Sequence, residues 1–330
     1  MVKRIKKFII FIIICVAITF LSSFGFRFTK NPLKFPIKEN AELVNNLKSH
    51  VEKLSFEIGD RSVFKYDKLC QAADYITEIF QSLGYEVTFQ KYDFSGYEVK
   101  NIIAVKKGEV NPNAYVIVGA HYDTFFNPGA DDNASGVAAV LEIARMLARE
   151  NTRRSIKFIA FVNEEGTFFK SKYSGSINYI KEANKRDENI RAVIIIDMLG
   201  YYSEKLFSQH YPPVILSLFY PNRGNFVGIY SNWDSRWLKH KLMASFKRTT
   251  PFPIQGVSVA SFPGVGFSDQ VPFWLENYDA VLIGDTAGFR NPYYHGNYPP
   301  RIIDTYDTLD YDKMAEVVRG LKAAILNIAS

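Results

Sequence analysis

The chain has 330 residues, 47% of them hydrophobic and 15% aromatic, which is long enough for a large buried core and too apolar for a disordered chain. Its formal net charge of +6 invites a nucleic-acid reading, but seven of the 40 Lys and Arg fall before residue 35 with no acid among them, leaving 33 basic against 34 acidic side chains. The basic excess is therefore local, and it excludes a broad nucleic-acid surface rather than suggesting one.

The local excess has its own explanation. Residues 1–7 carry Lys3, Arg4, Lys6 and Lys7 and precede an uncharged run, "FIIFIIICVAITFLSSFGF", at 8–26. As a helix at about 1.5 Å per residue that run spans roughly 28 Å, close to a bilayer core of about 30 Å. It predicts a transmembrane signal anchor with its basic flank in the cytoplasm and the rest of the chain outside the cell membrane. A cleaved signal peptide, which would make the protein secreted, is the competing expectation, since small residues follow the run. Residues 27–38, rich in Pro and Lys, predict a linker, and 39–330 predict the folded domain.

Within that domain helices and strands alternate. "DKLCQAADYITEIFQSLG" has helical spacing and ends at Gly84, a C-cap. Cys70 on this helix is expected as a small buried hydrophobe, and with Cys15 as the only other cysteine there is no disulfide scaffold. Strands are predicted at "YEVTFQKYDF", "NIIAVKKG", "AYVIVGAH", "SIKFIAFVNEE", "AVIIIDMLG" and "YDAVLIGDT". Near-continuous apolar runs among them fit strands covered on both faces. "GVAAVLEIARMLARE" and "YDKMAEVVRGLKAAILNI" predict amphipathic helices. The stretch from Tyr201 to Gln270 is aromatic and loop-rich, with "PNRGN" and "PFPIQG" read as turns. The class is α/β, with a sheet between helices.

Three of the strands end in ionisable groups: His121 and Asp123 in "GAHYD", Glu164 and Glu165 in "FVNEE", and Asp197 in "IIIDM". Sites in such sheets gather outside the carboxyl ends of parallel strands, so these groups can converge. Carboxylates crowded at a buried edge resist desolvation unless a cation compensates them. His, Asp and Glu without Cys is the donor set of hydrolytic zinc. Asp123, two residues from His121, is placed to orient the ring, and Asn133 or Ser135 can cap the helix that begins at Gly136. Each piece alone has an ordinary reading: a surface hydrogen bond, a solvated Glu pair, an Asx-rich turn, a structural acid. None of these explains why every piece falls at a strand end.

"GAHYDT", "GADDNASGVAAVLE", "FVNEEG", "IIIDMLG" and "DTAGFRNPYYH" resemble, in order, the motifs of the co-catalytic di-zinc aminopeptidases of peptidase clan MH, a family that also contains glutaminyl cyclases. The resemblance implies a three-layer fold with a mixed, mostly parallel sheet and helices on both faces. It implies two zinc ions: His121 and Asp197 on one, Glu165 and His295 on the other, Asp132 bridging and Asp131 not. It further implies Glu164 as general base, Asp123 as the acid behind His121, a cis peptide after Asp132, and a peptide substrate with a free N-terminus. The alternatives are a single-zinc glutaminyl cyclase and a binding ectodomain without catalysis. Two departures stand out: Gln270 occupies a position where relatives often carry His, and the segment after His295 is longer than usual. His50, His210 and His240 match no motif and are expected as surface or packing residues, as are most of the tyrosines between Tyr201 and Tyr230.

Overall fold

A computed structural model describes residues 40–211, 214–258, 268–296 and 303–330. In chain order the elements are α1 (Ala41–Glu52), α2 (Tyr66–Ser82), β1 (Glu86–Phe94), β2 (Tyr97–Lys106), β3 (Asn111–His121), α3 (Gly136–Leu147), β4 (Arg154–Phe161), α4 (Gly175–Lys185) and β5 (Asn189–Ile196). They continue with β6 (Val227–Ser231), α5 (Arg236–Thr249), β7 (Ile254–Ser258), α6 (Gln270–Leu275), β8 (Ala280–Gly284) and α7 (Tyr311–Ala329). The expected membrane run 8–26, its basic flank and the linker to 38 lie outside the described residues. Among the described residues no helix is long and apolar enough to cross a membrane.

The strands form one sheet in the order β1-β2-β4-β3-β5-β8-β6-β7. β4, β3, β5 and β8 run parallel, while β2 pairs antiparallel with β4, and β6 antiparallel with β8. The continuous apolar runs are explained by burial on both sides. On β3, Val116, Val118 and Ala120 face one core with helices α1, α2, α3, α5 and α7, and Ile117 faces the other, where Tyr179 and Ile180 of α4 and Phe273 of α6 pack. The arrangement is the expected mixed, mostly parallel sheet between two helical layers.

At the end of α2, Gly84 takes φ +83° and Tyr85 N–H reaches back to Phe80 O at 3.1 Å, the C-terminal turn expected there. Cys70 is half-buried rather than buried. The stretch read as loops after Tyr201 contains β6, α5 and β7, and "PFPIQG" leads into a strand from Ile254 rather than forming only a turn. Strands of five residues are too short to display a period. The core positions of α5, Leu238, Leu242 and Phe246, are diluted by basic side chains.

Candidate metal centre

Because the four central strands are parallel, their carboxyl ends share one edge, and each is followed by acidic or imidazole side chains. Tyr122 N–H binds Phe161 O at 2.9 Å and Asp197 N–H binds Ile283 O at 3.0 Å, so the chain segments leaving β3 and β5 stay tied to neighbouring strands. His121, Asp123, Asp132, Glu164 and Glu165 are all buried, and all seven residues expected at the site come together.

The geometry centres on Asp132. Its Oδ1 lies 3.3 Å from His121 Nε2 and its Oδ2 lies 3.1 Å from His295 Nε2. His121 Nε2 is also 3.5 Å from Asp197 Oδ1, and His295 Nε2 is 3.1 Å from Glu165 Oε2. One carboxylate thus stands between two clusters: His121 with Asp197, and His295 with Glu165. The nearest atoms of His121, Asp132 and Glu165 all lie within 4.8 Å of one another. Asp197 and His295 side chains keep 15% and 27% of their surface exposed, so the centre opens to solvent on their side. His295 sits at φ 55° with its ring stacked on Tyr294, centroids 3.9 Å apart.

The bridge is positioned by its neighbours. The Asp132–Asn133 peptide is cis, as the resemblance implied. Asn133, rather than Ser135, caps α3: its Oδ1 accepts Gly136 N–H at 2.9 Å and Met198 N–H at 3.1 Å, which ties the start of α3 to the residue after Asp197. Only glycine fits at 136, since a Cβ there would stand 2.1 Å from that oxygen. Asp131 faces away from the centre, as expected; its Oδ1 accepts Gly200 N–H at 2.8 Å and its Oδ2 accepts from Asn291 at 2.6 Å.

Asp123 stands beside His121 and has further partners. Its carboxylate oxygens accept the Glu164 and Glu165 N–H groups, each at 3.1 Å, and stand 3.7 Å from His121 Nδ1. The nearer acceptor for the ring is the Asp123 main-chain carbonyl at 3.2 Å. Two amide donors hold the carboxylate at the Glu pair, so Asp123 links that pair to His121, which meets both its main-chain carbonyl and the edge of its carboxylate.

Sequence reasoning missed two supports. Asp304, fully buried, accepts Asp131 N–H at 2.9 and 3.0 Å and Asp132 N–H at 3.0 Å, holding the segment that bears the bridge. Arg61, also fully buried, donates to five main-chain carbonyls, three of them in the 122–129 loop. Neither carries a local signal: Asp304 lies far along the chain from its partners, and Arg61 stands in a short turn. Gln270 is buried at the start of α6 and presents no surface to a substrate. His50 is a packing residue whose Nδ1 is 2.6 Å from Tyr75 Oη, while His210 and His240 are exposed.

The electrostatics show what the pocket wants. Burial pushes Glu164 well above the usual carboxylate range, with Asp197 and Glu165 adding to the rise, and burial with Asp132 raises Glu165 to about 7. Burial works against a charged His295, but Asp132 and Glu165 outweigh it and raise the ring to about 11. His121 is likewise raised despite burial, by Asp123, Asp132 and Asp197. The surrounding carboxylates thus favour positive charge at both imidazoles. His295 Nε2 is nevertheless aligned as a hydrogen-bond donor to neither nearby carboxylate, and Glu165 Oε1 has no hydrogen-bond partner among the described residues. Donors that converge on common points without pairing fit divalent cations better than protons, and imidazole with carboxylate suits zinc.

A buried oxygen-and-imidazole centre at the open end of a parallel sheet is that of a metal-dependent hydrolase. Residues 101–325 match Peptidase family M28; the chain belongs to that family and is a metallopeptidase. The uncharacterized protein YfbL of Escherichia coli is 34% identical over 291 residues, 85% of this chain and 87% of that protein. Aminopeptidase YwaD of Bacillus subtilis is 32% identical over 216 residues, 64% of this chain but 41% of the relative. Among solved structures, the zinc aminopeptidase BSAP from Bacillus subtilis aligns with a TM-score of 0.68 at 16% identity, covering 89% of this chain and 96% of that one, a likeness of fold.

Proposed function

We propose that this peptidase removes N-terminal residues from peptides using two zinc ions, with His121, Asp132 and Asp197 on one and Asp132, Glu165 and His295 on the other. The carrying observation is that the two oxygens of Asp132 face two different imidazoles, each with its own second carboxylate. Zinc bound there supplies Lewis-acid polarisation of the scissile carbonyl and a water of lowered pKa. The chain supplies the rest. Glu164, held by the bond from its own N–H to Asp123, takes the proton of the attacking water on its carboxylate and returns it to the leaving amine. Asp123 and Asp304 hold the Glu pair and the bridging segment while charge develops.

The purified protein is expected to contain about two zinc ions per chain, the pair such a hydrolase needs. Chelation should abolish hydrolysis and added zinc restore it. A peptide with a free amino terminus should be shortened from that end, and its N-acetylated counterpart should not. Cleavage inside the acetylated peptide would refute the N-terminal preference. One tightly held zinc together with cyclisation of a glutaminyl peptide would replace this reading with that of a cyclase, and a metal-free, inactive protein would point to a binding ectodomain.

We also propose that the apolar run 8–26 tethers the catalytic domain to the outer side of the cytoplasmic membrane. The support is its length and the basic flank at Lys3, Arg4, Lys6 and Lys7. Protease added to intact spheroplasts should then degrade the domain; a domain protected until lysis would refute the topology.

A further inference from the structure

Beside the centre lies an aromatic surface that the proton transfers above do not use. Phe125 and Phe126 follow directly on "HYDT", and Phe64 and Phe168 approach them from two other segments. The Phe125 ring is 6.5 Å from the His295 ring and 4.7 Å from Phe126, and Phe126 stacks on Phe64 at 5.4 Å with an interplanar angle of 10°. Phe168, buried, backs Phe64 at 6.0 Å. Phe64 and Phe126 are each 56% exposed.

These rings are displayed by a stiff support. Phe126 takes the left-handed φ of 56°, which side chains other than glycine rarely adopt. The loop is braced by Asn127, which donates to Phe125 O at 3.1 Å and accepts Gly129 N–H at 2.6 Å, and by Arg61, which donates to Pro128 O at 2.6 Å. At Gly166, immediately after the Glu pair, a Cβ would come within 2.5 Å of the Phe125 ring, so the ring lies flush against the turn carrying Glu165. A braced, unusual backbone that keeps large apolar side chains in water beside an active centre is the pattern of a binding surface rather than of packing.

We propose that Phe125, Phe126 and Phe64 form a shelf that holds an apolar or aromatic side chain of the peptide just beyond the scissile bond. This rests on the aminopeptidase reading. An enzyme that accepts a free amino terminus encloses the first residue and lets the remaining chain run out to solvent. The shelf suits such a path: it starts at Phe125, against Gly166 and 6.5 Å from the His295 ring, and continues to two exposed rings. A flat pair of stacked rings offers offset or edge-on contact to an aromatic side chain and apolar contact to an aliphatic one.

The test uses two peptides that share the first residue the full-length enzyme cleaves fastest and carry Phe or Gly at the second position. The enzyme should prefer Phe in kcat/KM, and the double variant Phe64→Ala/Phe126→Ala should reduce the Phe-to-Gly ratio by about 10-fold, the scale of losing one apolar contact surface. Phe126→Leu, which keeps apolar bulk, should reduce it less. Melting curves report whether the variants remain folded, and the substitutions remove exposed rings rather than core. A ratio near one in the unaltered enzyme, or a ratio unchanged by the double variant, overturns the shelf and leaves the aminopeptidase reading intact. Failure to hydrolyse either peptide overturns that reading and the shelf with it.

Discussion

Glu164→Gln is expected to lower turnover by roughly 100-fold to 10,000-fold, the usual worth of a positioned general base, while leaving zinc content unchanged. The amide keeps the volume and the main-chain bond to Asp123 at 3.1 Å, so the turn should hold its shape. What disappears is a carboxylate that can accept a proton. Glu165→Gln should fail differently: its Oε2 lies 3.1 Å from His295 Nε2, so a neutral amide weakens the cluster shared with His295, and excess zinc should recover part of the activity. If the pair were only a solvated patch, neither change would exceed about 0.5 kcal/mol, the usual surface effect. Burial already contradicts that patch, since both residues are nearly inaccessible. Parallel measurement of zinc content and peptide hydrolysis for the two variants decides the matter; near-normal turnover in metal-loaded Glu164→Gln would eliminate Glu164 as the base.

The features legible in the sequence were those whose signal is local. "AYVIVGAH", "SIKFIAF" and "AVIII" are apolar on both faces because both faces of the sheet are covered, and the polar residue that ends each run marks the sheet edge where the centre lies. Asp132 could be told from Asp131 only through the resemblance; periodicity does not distinguish two adjacent acids. The structure adds why they differ, since Asp131 bonds Gly200 and Asn291 while Asp132 faces the imidazoles. Supports made by contacts far apart in the chain left no trace. Asp304 meets Asp131 and Asp132 across more than 170 residues, and Arg61 reaches Pro128 and Gly129 across more than 65. The role of Asp123 was half legible: the spacing brought it beside His121, but the amides of Glu164 and Glu165, which bind its carboxylate, belong to the loop after β4.

Arg61 is expected to show a large stability effect for a residue outside the centre. Its Nε donates to Tyr122 O at 3.0 Å, its Nη1 to Leu54 O at 2.8 Å, Gly59 O at 3.1 Å and Pro128 O at 2.6 Å, and its Nη2 to Gly129 O at 3.0 Å. Among the described residues no carboxylate pairs with the guanidinium; burial lowers its pKa to about 10, and the charges of Asp304 and Asp123 partly offset that burial. Arg61→Met fills similar space but strands those carbonyls away from water, at about 1–3 kcal/mol for each left without a partner. Some relaxation will occur, so a net loss of about 3–5 kcal/mol is expected, well below the sum over five stranded carbonyls. For a domain of this size that lowers the melting temperature by roughly 10 °C. The measurement belongs on metal-free protein, because bound zinc adds its own stabilisation and would mask part of the loss. Arg61→Lys retains the charge but not the fork of donors and should fall between the two. The same loop carries Asp123 and leads to Asp132, so the Lys variant should also hold zinc more weakly and turn over more slowly than the unaltered enzyme at saturating substrate. A metal-free Arg61→Met protein that melts within a degree or two of the parent would show that the carbonyl cage closes without its guanidinium.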